Sequence, residues 1–495
     1  MAIVLALPGI QVAQAQVSPD TLKSISIPDK VATSIGKLEF FDGVPANAAT
    51  VEKVYDNLDR MRGTEVFLDN VGAVSMYSVR KGLDGAGAQG ANKIAVFEGL
   101  MDSQTLVVTA NTSTLYAYTY TDLAKDGPTV IEIPPGMLGF LNDAWQRFAG
   151  NMGVTGPDKG QGGKYLVLPP GYSGAVPDGY FPLTPATNRN FLFLRGSIKN
   201  GLAPAVKNIT TGLKVYPLKD AAHPAPTEYV NVSGKAFNTI FPSDFSYFED
   251  LNEVVQQEPI DAISPEVRGE MAAIGIVKGQ PFTPDARLKK LLTEAATLGA
   301  ATARVITYHP RIAGVNIYPD DSNSIWSTAF ANKNTSFEAD GTMDLDARVL
   351  YYFNAGGVTP AMATTHAGAG GSDYALAVVD AGKQPFDGAK TYKLHLPPNV
   401  PVNDFWAVTI YDTQTRSQLQ TSQKFPTVGS QSDGIKKNAD GSYDLYFGPK
   451  APAGKEGNWL ATVPGKSWFT ILRMYGPLEP WINKTWRPGE IALVK

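Results

Sequence analysis

One stretch constrains the fold more than any other: Phe405 to Leu419, FWAVTIYDTQTRSQL. With the two-residue period of a strand, Trp406, Val408, Ile410 and Asp412 share one face, and Phe405, Ala407, Thr409 and Tyr411 share the other. Both faces are largely apolar, so neither can be left to water. Such a strand has to be central in its sheet, packed on one side and at least partly covered on the other. The run then surfaces with a charged pair, Asp412 and Arg416, the latter in the turn Thr413 to Ser417. A pair in that position is either a turn clamp or part of a site.

Much of the chain follows the same grammar. IAVFEG, TLVVTAN, TLYAYTYTDL, TVIEIP, KYLVLPP and NFLFLRGSI succeed one another between Ile94 and Ile198, punctuated by Gly, Pro, Asn and Asp. Strands resume after about Tyr308 with DYALAVVD, YKLHLP, SYDLYFGP, NWLATVP and WFTILRMYG, and Asn438-Ala439-Asp440-Gly441 reads as a hairpin turn. Helical spacing interrupts this pattern. Val51, Val54, Tyr55, Leu58 and Met61 predict an amphipathic helix near 50–62, with Gly63 marking a kink or a break. Leu251, Val254 and Val255 form a short helical patch. Thr283-Pro284-Asp285 then looks like the start of a helix that buries Leu288, Leu291, Leu292, Ala295 and Leu298. Asp344 caps a further helix that ends at Gly356-Gly357. The expectation is a mainly β fold: two antiparallel β-sandwich, jelly-roll-like domains, 16–244 and 308–495, joined by a helical segment, 245–307.

Composition narrows the function. The 43 basic residues against 47 acidic ones leave no nucleic-acid footprint, so the expected partner is a small-molecule or polymer ligand. The chain has no cysteine, which excludes disulfides, thiolate nucleophiles and iron–sulfur clusters. Residues 1–15 read as the end of a signal peptide: an apolar run from Ala2 to Ile10, then the small-x-small pattern Ala13-Gln14-Ala15. The expected location is therefore periplasmic or secreted. No stretch is long and apolar enough to be a transmembrane segment.

Standard catalytic signatures are missing. There is neither a Gly-x-Ser-x-Gly elbow nor a His-Glu-x-x-His helix. Gly156 to Lys164 departs from a phosphate loop, since Tyr165 stands where Ser or Thr is needed, and reads as a loop between strands. His223, His309, His366 and His395 lie far apart, so a multi-histidine metal site would have to be assembled from distant segments. His366 stands out, in the glycine-rich stretch THAGAGGSDY seven residues before Asp373. A divalent metal ion could draw on Asp340, Asp344 and Asp346, although these serve equally well as a turn and a cap. The cofactor is left open on this reading.

Two arginines interrupt apolar rows. Phe191, Phe193 and Arg195 share one strand face, as do Phe469, Ile471, Arg473 and Tyr475. An arginine so placed needs a carboxylate or an anionic ligand. Asp412 is a candidate partner for Arg473 or Arg416. Trp459, Trp468, Trp481 and Trp486 crowd the C-terminal region, where exposed rings would stack on a sugar or polymer and buried ones would be core.

The motifs themselves carry a family likeness. In the N-terminal half it rests on YDNLDR with RGTE from Tyr55 to Glu65, NTSTLY from Asn111, and GPDKG with GGKYL from Gly156. In the C-terminal half it rests on GGSDY from Gly370, FDG from Phe386, FWAVTIYD from Phe405, Thr415-Arg416-Ser417, Asn458-Trp459 and RMYGP from Arg473. The chain resembles bacterial two-domain proteins catalogued as domains of unknown function 1254 and 1214. The resemblance implies secreted or periplasmic proteins with two sandwich-like β domains, and no agreed activity.

The leading expectation is a hydrolase-type enzyme whose catalytic set is His366, Asp373, Tyr411, Asp412, Arg416 and Arg473. A carboxylate or His366 would act as base on water, and arginine would stabilise negative charge. This requires the six side chains to converge on one pocket. The alternative is a binding module for an envelope or extracellular polymer, using exposed Trp481 and Trp486. A third reading is a structural or assembly component.

Overall fold

The computed structural model describes residues 17–90, 92–321, 323–367 and 371–494. The expected signal peptide, 1–15, lies outside them. The chain divides into two compact units, 1–61 and 62–495. In the first, Lys30–Thr33, Gly36–Phe41 and Val44–Pro45 form a small antiparallel meander.

Helix and strand each take 27% of the chain, so the expected β architecture shares the molecule with as much helix. The second unit contains two six-stranded sheets. The N-terminal one runs Glu228–Asn231, Lys93–Val96, Leu115–Asp122, Arg189–Gly196, Met137–Asn142, Phe148–Gly153, antiparallel except for the first pair. Alternation along its strands sends Leu115, Ala117, Leu141, Leu192 and Leu194 to one face. There they form one buried cluster with Ile131, Ile133, Tyr165, Val167 and Val215 of a four-stranded sheet. The other face carries Tyr116, Tyr118, Phe140, Phe191 and Phe193, with Phe140 stacked on Phe193 at 4.6 Å between ring centroids.

The C-terminal sheet is built the same way. Its order is Trp326–Ser327, Ser372–Ala377, Ser467–Pro477, Val402–Asp412, Thr427–Gly429, with Phe386–Asp387 also paired to Ser467–Pro477. Trp406, Val408 and Ile410, with Leu472 and Met474, share a core cluster with Leu394, Leu396, Leu445 and Phe447 of a second four-stranded sheet. Phe405, Ala407, Thr409 and Tyr411 turn the other way, in register with Tyr475, Arg473, Ile471 and Phe469. Val402–Asp412 is thus flanked by strands on both sides and buried along most of its length, as its composition demands.

One helix, Val71–Gly85, packs on the outer face of the N-terminal sheet, where Met76, Val79 and Leu83 join Tyr116, Tyr118 and Phe191 in one cluster. Ser246–Gln257, Pro265–Ala273 and Ala286–Tyr308 are helices. They share a single hydrophobic cluster with residues of Val71–Gly85 and Leu345–Asn354. Gly63 is no break: the helix Ala48–Asp69 runs through it. Its role is close approach, because a Cβ there would lie 2.8 Å from the Cβ of Ala295 on Ala286–Tyr308. Asp285, rather than Thr283, caps that helix by accepting from the Leu288 N–H at 2.7 Å. Asp344 caps Leu345–Asn354 as expected, accepting from the Ala347 N–H at 2.9 Å. Among the described residues no helix is long and apolar enough to cross a membrane.

Candidate functional site

The outer faces of the two six-stranded sheets look toward a common cavity. The N-terminal sheet contributes Tyr116, Tyr118, Phe140, Phe193 and Arg195, and the C-terminal sheet Tyr374, Ile471 and Arg473. Tyr351 and Asn354, from Leu345–Asn354, complete the wall with the loops 107–111 and 355–362. The second loop is tied to the N-terminal sheet by a reciprocal pair: Asn142 Nδ2 donates to the Val358 carbonyl, and the Val358 N–H donates to Asn142 Oδ1, both at 2.8 Å. Tyr351 secures the same loop by donating to the Gly357 carbonyl at 2.6 Å.

Arg473 is the buried cation of this cavity, at 4% exposure. It stands opposite Tyr374 across the sheet, donates from Nη1 to the Tyr411 hydroxyl, and donates from Nη2 to the Thr109 carbonyl at 2.6 Å. Tyr411 in turn donates to the Ala110 carbonyl at 2.7 Å. Arg195 is half-buried, in register with Tyr116, and its guanidinium lies 5.9 Å from the centre of the Tyr475 ring. Among the described residues neither arginine forms an ion pair with a carboxylate; both are framed by tyrosines. Burial pushes the Tyr374, Tyr411 and Tyr475 phenols up, and the arginine charges only partly offset this, so all three are neutral at ordinary pH.

Thr109 is the knot beside them. Its N–H donates to the Arg416 carbonyl at 2.7 Å, its hydroxyl donates to the Asn354 carbonyl at 2.6 Å, and its own carbonyl receives Arg473. It does so at φ 45°, a left-handed conformation that a β-branched residue adopts only under constraint.

The six residues expected to form a catalytic set do not converge. Arg473 and Asp373 both line the cavity. Strand alternation, however, places the Asp373 side chain opposite Met474, on the face away from Arg473. There its Oδ2 accepts from Trp481 Nε1 at 2.8 Å, and its Oδ1 accepts from the Tyr374 N–H at 2.8 Å. Tyr411 touches Arg473 but is fully buried and stacked on Phe469. Asp412 is a turn clamp: Oδ1 accepts from the N–H groups of Gln414 at 2.7 Å and Thr415 at 3.3 Å, and Oδ2 takes Lys466. Its side-chain partner is therefore neither Arg473 nor Arg416.

Arg416 is sealed at 1% exposure, with its guanidinium 4.0 Å from the centre of the Phe353 ring. It donates to the carbonyls of Phe353 at 3.2 Å and Gln414 at 2.7 Å. Burial, aided by the nearby charge of Arg304, lowers its pKa to about 9, which marks a cation short of compensation. His366 is exposed and is not part of the cavity wall.

Other candidates resolve into structure. Trp481 and Trp486 are buried, at 0% and 8% exposure, so neither offers a stacking surface. In the glycine-rich loop after Gly153, Asp158 accepts from the N–H groups of Gly153 at 2.7 Å and Gly162 at 3.0 Å and from the Tyr165 hydroxyl. Asp344 caps a helix, and Asp346 pairs with Arg311 at 2.9 Å. Among the described residues no three metal-ligating side chains converge. Arg195 was visible in sequence as the polar end of an apolar row. Thr109 and Asn354 carried no such signal, because their roles arise from contacts across more than 200 residues.

Comparison with known proteins follows the same division. Residues 91–217 match the family described as protein of unknown function DUF1254, and residues 371–479 match the protein of unknown function DUF1214. No curated protein matches the sequence. Among solved structures, the chain is similar to the VPA0106 protein from Vibrio parahaemolyticus, at 18% identity and a TM-score of 0.50, covering 87% of this chain and 100% of that one. It is also similar to an uncharacterized protein from Burkholderia cenocepacia, at 14% identity and a TM-score of 0.39, covering 89% of this chain and 96% of that one. The first likeness establishes a shared fold. Arg195 lies in the region that matches DUF1254 and Arg473 in the region that matches DUF1214, so this one chain carries a match to each family.

Proposed function

We propose that this is a periplasmic or secreted protein that takes up a small organic molecule in the cavity between its two sheet systems. We read each system, a six-stranded sheet packed on a four-stranded one, as a β-sandwich of jelly-roll type, with the helical segment 245–307 joining them along the chain. The observation that carries the functional reading is the cavity wall: apolar and aromatic over most of its area, with a few convergent polar groups, which is the usual make-up of a small-molecule site.

Hydrolytic chemistry is the second reading, favoured by one observation. Arg473 stands at the wall, where it could stabilise negative charge on a reacting group. The reading lacks a ready base, since Asp412 is clamped in its turn and both oxygens of Asp373 already accept hydrogen bonds. Binding is therefore placed ahead of hydrolysis. A polymer-stacking surface is not carried forward, because Trp481 and Trp486 are buried.

The test is a ligand-observed NMR screen of neutral, acidic and basic fragments against the wild type and Gly356→Trp. Gly356 lines the cavity, and a Cβ built there meets nothing within 4 Å, so the indole adds bulk to open space. Hits that bind the wild type and are lost in the variant are expected. An absence of hits, or hits indifferent to the substitution, would overturn the proposal.

A further inference from the structure

Resting on the reading of the cavity as a ligand site, we infer that its ligand is an organic carboxylate, with the acid group held by Arg195 and Arg473 and an apolar body lying among the aromatic rings.

The argument begins with charge. Arg195 and Arg473 both line the cavity, and among the described residues neither is ion-paired to a carboxylate. Arg473 spends its hydrogen bonds on neutral oxygens, the Tyr411 hydroxyl and the Thr109 carbonyl. The one carboxylate among the lining residues, Asp373, turns its side chain to the far face of its strand and is held there by Trp481. Among the described residues the cavity face therefore carries two positive charges and no negative one. A buried cation without an anion is costly to maintain, and a carboxylate supplies the missing charge with two acceptors that suit the guanidinium fork.

The two arginines also act on the same place. Tyr374 and Tyr475 lie within the electrostatic reach of both guanidinium groups. Tyr374, which lines the cavity and stands opposite Arg473, presents a neutral phenol there beside the two arginines. Away from this corner the wall is formed by Tyr118, Phe140, Phe193 and Phe330 with Ile471 and Met362, which suits an aryl or short alkyl body.

The experiment measures binding of 4-phenylbutyrate, 4-phenylbutanol, 4-phenylbutylamine and inorganic phosphate to the full chain by calorimetry. It uses the wild type, Arg195→Gln, Arg195→Lys and Arg473→Gln, with the melting temperature of each variant recorded. The acid should bind about tenfold or more tightly than the alcohol, as a charge-assisted bidentate contact provides. Arg195→Gln should erase that preference and Arg195→Lys should keep part of it. Arg195 is half-buried, so this arm remains decisive even if Arg473→Gln fails to fold. Alcohol or amine binding as tightly as the acid, phosphate binding as tightly as the acid, or an acid preference that survives in Arg195→Gln would each overturn the inference while leaving a ligand site standing. Failure of all four probes to bind the wild type at millimolar concentration would overturn the inference and the ligand-site reading together.

Discussion

Arg473 reaches back across 364 residues to donate its Nη2 to the carbonyl of Thr109 at 2.6 Å. That bond joins the strand Ser467–Pro477 of the C-terminal sheet to the loop preceding the strand Leu115–Asp122 of the N-terminal sheet. Because the Thr109 hydroxyl holds the last carbonyl of Leu345–Asn354, sheet, loop and helix meet at one residue.

Thr109→Val keeps the shape of the side chain and removes that donor. It should destabilise the protein by about 1–2 kcal/mol, the cost of leaving a carbonyl unsatisfied in a largely closed environment. Thr109→Gly loses the same bond but relaxes the left-handed backbone, so its net effect should be smaller than that of Val. Urea unfolding midpoints check this, and a Val variant as stable as the wild type would show that the bond contributes nothing.

The clamp at Asp412 separates structure from chemistry. Asp412→Ala removes the one oxygen that accepts from two backbone N–H groups and should cost about 2 kcal/mol. Lys466→Met removes a half-exposed partner and should cost no more than about 1 kcal/mol. Both variants should bind cavity ligands as the wild type does. A selective loss of binding or activity at unchanged stability would return Asp412 to the site.

Asp373 calls for a paired test. Asp373→Asn keeps an acceptor for Trp481 Nε1 and should be mild, whereas Asp373→Ala should lose about 1–2 kcal/mol. Combined with Trp481→Phe, the alanine variant should fall short of additivity, because both substitutions remove one interaction. Additive losses would mean that the two side chains are not coupled.

Glu258 is a built-in pH dependence outside the cavity. Burial raises its pKa from 4.5 to about 7, although the backbone N–H groups of Asn188, at 2.5 Å, and Arg189, at 3.2 Å, pull the other way. The folded state therefore holds a proton that the unfolded chain releases near 4.5. Its contribution to stability is full below that value and is lost as pH rises through about 7. Glu258→Gln should flatten the fall between these limits and gain on the wild type above it, by a few kcal/mol at most. Thermal melts across this range check the sign, and a wild-type curve that rises through the window would refute it.

Some of this was legible in the chain. The alternation in Phe405 to Asp412 identified both faces of that strand, and the rows ending in Arg195 and Arg473 marked where polar groups would interrupt apolar walls. The helix Val71–Gly85 was missed because it is buried nearly all round from Val71 to Met76, leaving no polar stripe to reveal its period. The carboxylates misled for a related reason. Asp373, Asp412 and Asp158 stand in distinctive motifs, but a motif shows that a carboxylate is needed and not whether a backbone amide, an indole or a ligand receives it.

By itself the sequence determined most of the strands, their inward and outward residues, the helix cap at Asp344 and the kinship of the chain, because each depends on near neighbours or on ordered motifs. Only the tertiary structure decided that the outer faces of the two sheets share a cavity, that Arg195 and Arg473 line it together, and that Asp373 turns away while Thr109 ties the wall. The physical reason is distance along the chain: the cavity is made by surfaces hundreds of residues apart, and their meeting is set by packing rather than by local pattern.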